Sequence, residues 1–363
     1  MDFSFTDEQQ MLRDGVGKYL DKNYHFDARQ KLVRSEAPWS ADAWQQFAEF
    51  GLLALPFGED RGGLGGSLSD CVAFAELFGR HLVIEPYLGS VMLAGAALAQ
   101  SGDPMAQEWI GKIVSGEAVV AFAFEEGHGT ASPELVAMTA RGSGDSARLT
   151  GEKRLVHAGA DADAIVVLSR KGEGGPLAFF LVEAGADGLD ARAYTTIDGR
   201  SAANITFNDV VAIEVETSEK AVDRIMADAI IVQCAEAVGA MGALVAMTGE
   251  YAHTRKQFGV PIATFQAVAH RLADMKIAYT KARATLLYTT ALAESGAAAP
   301  RDIAILKGQI GKLGRAVGEA AIQTHGGVGM TDELSVSHYH KRLLACDATF
   351  GDHAYHFRKV GMG

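Results

Sequence analysis

The hydrophobic period of this sequence changes twice, and those two changes constrain the fold more than any other feature. Up to about Gly116 the apolar residues recur at helical spacing, from Val119 they gather into short runs, and from about Ser218 helical spacing returns. Thr6-Asp7-Glu8-Gln9 has the spacing of a capping box ahead of a helix carrying Met11, Leu12, Val16 and Tyr19 on one face. Further helices are expected over Ala41–Phe50 and Asp70–Phe78. The strand-like runs are Val119–Phe124, Ala137–Ala140, Ala164–Leu168, Ala178–Val182 and Asn204–Phe207. Gly, Asp and Ser clusters separate them at the spacing of a small β-barrel or sandwich. Long alanine-rich helices are expected over Ala221–Phe258, Gln266–Ser295 and Arg301–Thr324, with Gly296-Ala297-Ala298-Ala299-Pro300 as a break. The fold class is therefore α+β: an α-helical domain over 1–117, a β domain over 118–217 and a helical domain over 218–363.

With 363 residues and 48% hydrophobic content, the chain can bury the cores of two or three domains. No apolar run is read as reaching the roughly 18 residues that span a membrane, so no membrane insertion is expected. Met1-Asp2-Phe3-Ser4-Phe5 has no basic segment followed by an apolar stretch, so no secretory signal is read there. Cys71, Cys234 and Cys346 are widely spaced and odd in number. That fits a reducing cytoplasm, without a disulfide framework or a cysteine-based metal site. A net charge of -12 argues against nucleic acid as a partner, which needs a basic stripe. An anionic ligand remains compatible, because a local basic cluster can act inside an acidic protein.

Two segments between the C-terminal helices suggest such a site. Gln323-Thr324-His325-Gly326-Gly327-Val328-Gly329-Met330 places three glycines where backbone can take positive φ and approach a ligand closely. Arg255-Lys256-Gln257-Phe258-Gly259 offers the planar donor fork of Arg255 to a phosphate. Together they suggest a site for the diphosphate and adenosine of a nucleotide cofactor. The plainer reading of the glycines is a helix C-cap and tight turn. Gly239, Gly242, Gly308, Gly311, Gly314 and Gly318 allow close helix approach, within a bundle core or on an oligomer face.

Taken with Phe265-Gln266-Ala267-Val268, the opening Phe5-Thr6-Asp7-Glu8-Gln9 and the Leu55-Pro56…Gly62-Gly63-Leu64-Gly65 loop, these segments resemble the flavin-dependent acyl-CoA dehydrogenases over nearly the whole chain. The resemblance implies an α domain, a β domain and a C-terminal four-helix bundle, assembled as a dimer or a dimer of dimers. It implies an FAD shared between subunits, with Arg255 on the diphosphate and Phe258 beside the adenine or ribityl chain. Gln257, Phe265, Gln266, Gln323, Thr324, Gly326 and Gly327 are further cofactor contacts by resemblance, while His325 is given no role. The implied reaction is α,β-dehydrogenation of an acyl-CoA thioester, with electrons leaving to an electron-transfer flavoprotein.

The catalytic half of the pattern departs from that family. The base is a carboxylate held in a dry pocket, and its position reads Phe350-Gly351-Asp352-His353, with glycine where glutamate is expected. Asp352 is the candidate beside it, displaced by about 100° on a helix and a methylene shorter. The second position used in the family reads Ala229-Ile230, next to Asp228. The flavin-facing Thr-Glu-Pro-x-x-Gly-Ser element reads Glu125-Glu126-Gly127-His128-Gly129-Thr130, and Trp-Ile-Thr-Asn-Gly reads Leu155-Val156-His157-Ala158-Gly159. With His338-Tyr339-His340-Lys341-Arg342-Leu343, this pattern resembles the small subunits of heteromeric members, such as pimeloyl-CoA dehydrogenase and the α2β2 enzymes of steroid side-chain breakdown. Such a chain would complete the FAD site of a second acyl-CoA dehydrogenase chain. The rival readings are a self-sufficient homo-oligomer using Asp352, Glu125 or Glu126 as base, and an adaptor that binds no cofactor. His338, His340, His353 and His356 raise a metal site, but no HExxH pattern or cysteine pair accompanies them, and none is expected.

Overall fold

A computed structural model describes residues 6–37, 39–127 and 132–362; Phe5 of the opening motif and His128, Gly129 and Thr130 of the flavin-side motif lie outside them. The N-terminal helices are α1 (Asp7–Asn23), α2 (Phe26–Val33), α3 (Ala41–Glu49), α4 (Leu68–His81), a π-helical turn at Leu88–Gly95 running into α5 (Ala96–Leu98), and α6 (Pro104–Val114). Strands follow as β1 (Val120–Ala123), β2 (Thr139–Arg141), β3 (Ala147–His157), β4 (Ala164–Lys171), β5 (Leu177–Glu183), β6 (Leu189–Thr195) and β7 (Ser201–Val215). The chain closes with α7 (Glu219–Thr254), the short strands β8 (Lys256–Gln257) and β9 (Val260–Pro261), then α8 (Gln266–Glu294), α9 (Pro300–His325), α10 (Ser335–Ala348) and α11 (His353–Met362). By contact the residues form two units interleaved in sequence: Met1–Arg29, Leu68–Val83 and Ile230–Gly363 in one, Gln30–Ser67 and Ile84–Ala229 in the other.

The expected capping box forms: Thr6 Oγ1 accepts from Gln9 N, and Gln9 Oε1 accepts from Thr6 N. On α1 the buried residues are Val16 and Leu20, while Met11 is 74% exposed, so the apolar face is narrower than the sequence suggested. The expected absence of a long apolar run needs correction. A stretch within Lys220–Thr254 has a mean hydropathy of 1.8 over a membrane-spanning length, but 67% of it is buried inside the protein, as in a core helix.

In the second unit the strands close into a barrel. The sheet order is β1-β4-β2-β3-β7-β5, and β5 also pairs with β4, so β4, β2, β3, β7 and β5 form a ring with β1 and β6 attached outside it. Of the barrel or sandwich alternatives, the chain builds the barrel, which leaves few open edges. Two strands escaped the sequence reading for a physical reason. β3 is broken by Thr150-Gly151 and the charged run Glu152-Lys153-Arg154, and β6 is exposed at nearly every position, so neither carries a hydrophobic run.

In the other unit α9 packs against α8, α10 and α11. The glycines mark where helices touch. A Cβ at Gly239 would sit 1.9 Å from the Glu76 carbonyl oxygen, and one at Gly79 1.8 Å from that of Glu236, so α4 and α7 cross backbone against backbone. Gly311 faces Asp347, Gly314 faces Leu343 and Gly318 faces His340, which makes this stripe internal packing. Arg342, fully buried, donates to Glu236 and to the Val83 carbonyl. Lys307, also buried, donates to the carbonyls of Cys346 and Asp347 at 2.6 and 2.9 Å.

Candidate functional site

Helix α7 ends one residue before Arg255, where the chain turns into a two-stranded hairpin. Lys256 pairs with Pro261 and Gln257 with Val260, leaving Phe258 and Gly259 as a two-residue loop. Both have positive φ, 53° and 83°, the signature of a type I′ turn. Glycine takes this conformation freely; a phenylalanine there is held at a cost of about 1 kcal/mol. The Phe258 ring is 93% exposed, with Phe265 edge-on at 6.1 Å. Burial does not explain this strain. Arg255 is exposed and, among the described residues, makes no ion pair and no side-chain hydrogen bond. Its guanidinium fork is free. Gln257 and Gln266 are exposed beside it, and Phe265 caps the start of α8.

The glycine segment caps the neighbouring helix end. Gly326, at φ 67° and ψ -148°, terminates α9 in a conformation that only glycine adopts readily. Gly329 is needed for packing, since a Cβ there would stand 2.8 Å from that of His325. Gly327 differs: it lies outside the left-handed region, is exposed, and has nothing within 4 Å of where a Cβ would be. Nothing in this chain's own fold requires it to be glycine. Gln323 is exposed, whereas the Thr324 hydroxyl is spent on the Ala320 carbonyl at 2.7 Å.

The two segments meet through Tyr251, not singled out in the sequence, and His325, which was given no role there. The Tyr251 ring stacks on His325 with centroids 4.2 Å apart and planes 23° off parallel, and Tyr251 Oη donates to the His325 carbonyl at 3.4 Å. Arg255 N donates in turn to the Tyr251 carbonyl. Arg255 and Gly326 thus leave the same end of the bundle. Tyr251 lies four residues before Arg255 on one helix face, and His325 directly precedes Gly326; those spacings are the signal that could have found them. The free fork of Arg255 and the open face of Gly327 fit the diphosphate and adenosine of a nucleotide cofactor.

The barrel residues corresponding to the family's flavin-facing elements are committed internally. Lys153 is fully buried, and its ammonium donates to Glu126 Oε1 at 2.6 Å, the Leu168 carbonyl at 2.6 Å and the Phe124 carbonyl at 3.2 Å. Glu126 also accepts from the amides of Ala137 and Met138. Burial pushes Lys153 down to about 8. That shift and the three acceptors pull in opposite directions, and the hydrogen bonds favour the charged form. Leu155, at the expected stacking position, has φ 49° beside a register shift between Lys153 and Val156. On β6, burial raises the Tyr194 phenol above its ordinary value.

The candidate bases fare differently from one another. Asp352 is exposed, and its carboxylate caps α11 by accepting from Tyr355 N at 2.7 Å. Gly351 has φ 87°. Asp228 is pushed up to about 6 by burial, against the pull of Arg224. Three of the four histidines considered for a metal have separate partners. His338 packs edge-on against Phe26, His353 bonds Asp347 through Nδ1, and His356 bonds the Phe350 carbonyl. Among the described residues no group of three or more His, Cys, Asp or Glu side chains could hold a metal ion.

Comparison with known proteins places these features in a family context. The model of the acyl-CoA dehydrogenase N-terminal domain matches residues 6–117, and that of the C-terminal domain matches residues 221–363. The acyl-CoA dehydrogenase FadE27 of Mycobacterium tuberculosis is 30% identical, over 99% of this chain and 98% of its own length. Among solved structures, a chain of the ChsE4-ChsE5 complex from Mycobacterium tuberculosis aligns with a TM-score of 0.90 and 29% identity, covering 100% of this chain and 98% of that one. A variant of the Tcur3481-Tcur3483 steroid ACAD aligns equally well, with a TM-score of 0.90 and 26% identity, over 98% of this chain and 97% of its own.

Proposed function

This chain belongs to the acyl-CoA dehydrogenase family, and from that premise we propose that it is the small subunit of a heteromeric, FAD-dependent enzyme that α,β-dehydrogenates an acyl-CoA thioester. The observation that carries the reading is the free, exposed Arg255 together with the exposed Gly327, whose missing side chain the chain's own fold does not require. Those residues, with Phe258, Gln323 and Gly326, would hold the diphosphate and adenosine of an FAD whose ring lies in a second acyl-CoA dehydrogenase chain. Gln257, Gln266 and Phe265 border the same surface.

The bound FAD supplies the hydride acceptor. What this chain contributes is binding and orientation. Arg255 would neutralise diphosphate charge, Gly327 would let backbone approach the cofactor, and Phe258 would offer an apolar face. Proton abstraction belongs to the partner. Gly351 has no side chain to act, Asp352 is occupied in capping α11, and Glu126 is saturated by two amides and an ammonium. The resemblance to the ChsE4-ChsE5 complex and the Tcur3481-Tcur3483 steroid ACAD supports a two-chain assembly and a bulky, steroid-like acyl group. An electron-transfer flavoprotein as acceptor, and a cytoplasmic location, complete the reading.

The test is the visible spectrum and mass of the chain purified alone and co-expressed with a larger acyl-CoA dehydrogenase chain. A colourless chain that gains flavin absorbance only in the complex is the expected result. A yellow homo-oligomer with about one flavin per chain overturns it and returns attention to Asp352 and Glu125.

A further inference from the structure

We infer that Tyr251 and His325 form a clasp whose role is to position the cofactor-binding end of the bundle, holding the Arg255 fork and the Gly326-Gly327 turn at a fixed separation. The inference rests on the reading of this surface as the diphosphate–adenosine site. A diphosphate that engages one donor set at the end of α7 and another at the end of α9 gains full strength only when both are held to a fraction of an ångström. The last turns of helices fray, so two helix ends make a poor frame unless something ties them.

The clasp is built as a tie. Tyr251 is the last α7 residue whose carbonyl holds Arg255, through Arg255 N at 2.8 Å. His325 is the last residue of α9, and its carbonyl, which receives Tyr251 Oη at 3.4 Å, belongs to the peptide that leads into Gly326. The rings stack at 4.2 Å and 23°, so the two aromatic faces attract each other directly. The imidazole cannot turn freely: its Nδ1 bonds the Ala321 carbonyl at 2.9 Å, which fixes the Nδ1–H tautomer. Gly329 closes over it, with no room for a Cβ. His325 is 5% exposed, so its effect on a ligand is exerted through the backbone of Gly326. It is a positioning residue.

The experiment measures binding of ADP, the diphosphate–adenosine half of FAD, to the full chain by calorimetry, for wild type, Arg255→Ala, His325→Ala, His325→Phe and Tyr251→Leu. His325→Phe preserves the stacked face and removes the ring nitrogens. We expect Arg255→Ala and His325→Ala each to weaken ADP about tenfold or more, with His325→Phe restoring most of the loss. Tyr251→Leu breaks the clasp from the α7 side and should match His325→Ala, which keeps the inference testable if one variant does not fold. If Arg255→Ala weakens ADP while His325→Ala and Tyr251→Leu bind as wild type, the clasp is overturned and the cofactor reading stands. If His325→Phe binds as poorly as His325→Ala, stacking is not the cause and the clasp is again overturned. If wild type does not bind ADP, or Arg255→Ala leaves binding unchanged, the cofactor surface itself is overturned and the clasp with it.

Discussion

Lys153 Nζ lies 2.6 Å from Glu126 Oε1 inside the barrel, and both groups are held by further partners: the ammonium also donates to the Phe124 and Leu168 carbonyls, and the carboxylate also accepts from the Ala137 and Met138 amides. This explains why a glutamate at the strand end, which the sequence offered as a base, serves to join β3 to the segment that follows β1. Replacing one partner leaves the other buried and uncompensated. Lys153→Met is therefore expected to lower stability by about 3–5 kcal/mol. Denaturant unfolding of the variant checks this, and a midpoint equal to wild type would show the pair to be dispensable.

Arg255 and Gly327 separate binding from folding. Arg255→Ala removes an exposed side chain that has no side-chain partner among the described residues, so its melting temperature should stay near wild type while the FAD content of the assembled complex falls. Gly327→Val should behave alike, because its side chain would project into open space in the free chain and into the cofactor in the complex. Flavin absorbance per complex is the readout. Full flavin stoichiometry in both variants would remove the cofactor role from this surface.

Gly239 makes the opposite prediction. A Cβ there would overlap the Glu76 carbonyl at 1.9 Å, and neither helix backbone can yield as a flexible side chain would. Gly239→Val is expected to prevent α4 and α7 from crossing and to yield insoluble or expanded protein, which size-exclusion chromatography of the expressed chain would reveal. Gly249→Ala, on the same helix with open space where its Cβ would sit, is the control that should fold.

The pH dependence of stability should carry the mark of His356. Burial pushes it down to about 4, its Nε2–H donates to the Phe350 carbonyl, and its Nδ1 is buried without a partner. The folded value lies below the unfolded one, so the folded state binds fewer protons between them. The neutral ring's contribution is present above about 6.5 and is lost as pH falls through that window toward about 4. Between pH 7 and 4.5 the melting temperature of wild type should drop further than that of His356→Gln, which keeps a donor and does not titrate. Parallel curves would assign the acid sensitivity to other groups.

Residues read in isolation settled a good deal about this protein. The order helix, strand, helix follows from hydrophobic period alone, because which face of an element is apolar is written in its own spacing. The capping box at Thr6 and the glycine stop at Gly326 are equally local. The missing side chain at Gly351 needs no structure to be seen. Other features depended on contacts between residues distant in sequence. The closure of the barrel through β4 and β5, and the strands β3 and β6 that lack an apolar run, arise from pairing partners that no local window contains. Only the fold shows that Glu126 is held by Lys153, that Asp352 caps a helix, and that Gly326 is required where Gly327 is not. Period and propensity act over a turn or two of chain, whereas burial, saturation of a carboxylate and the stacking of Tyr251 on His325 exist only once segments far apart in sequence share one place.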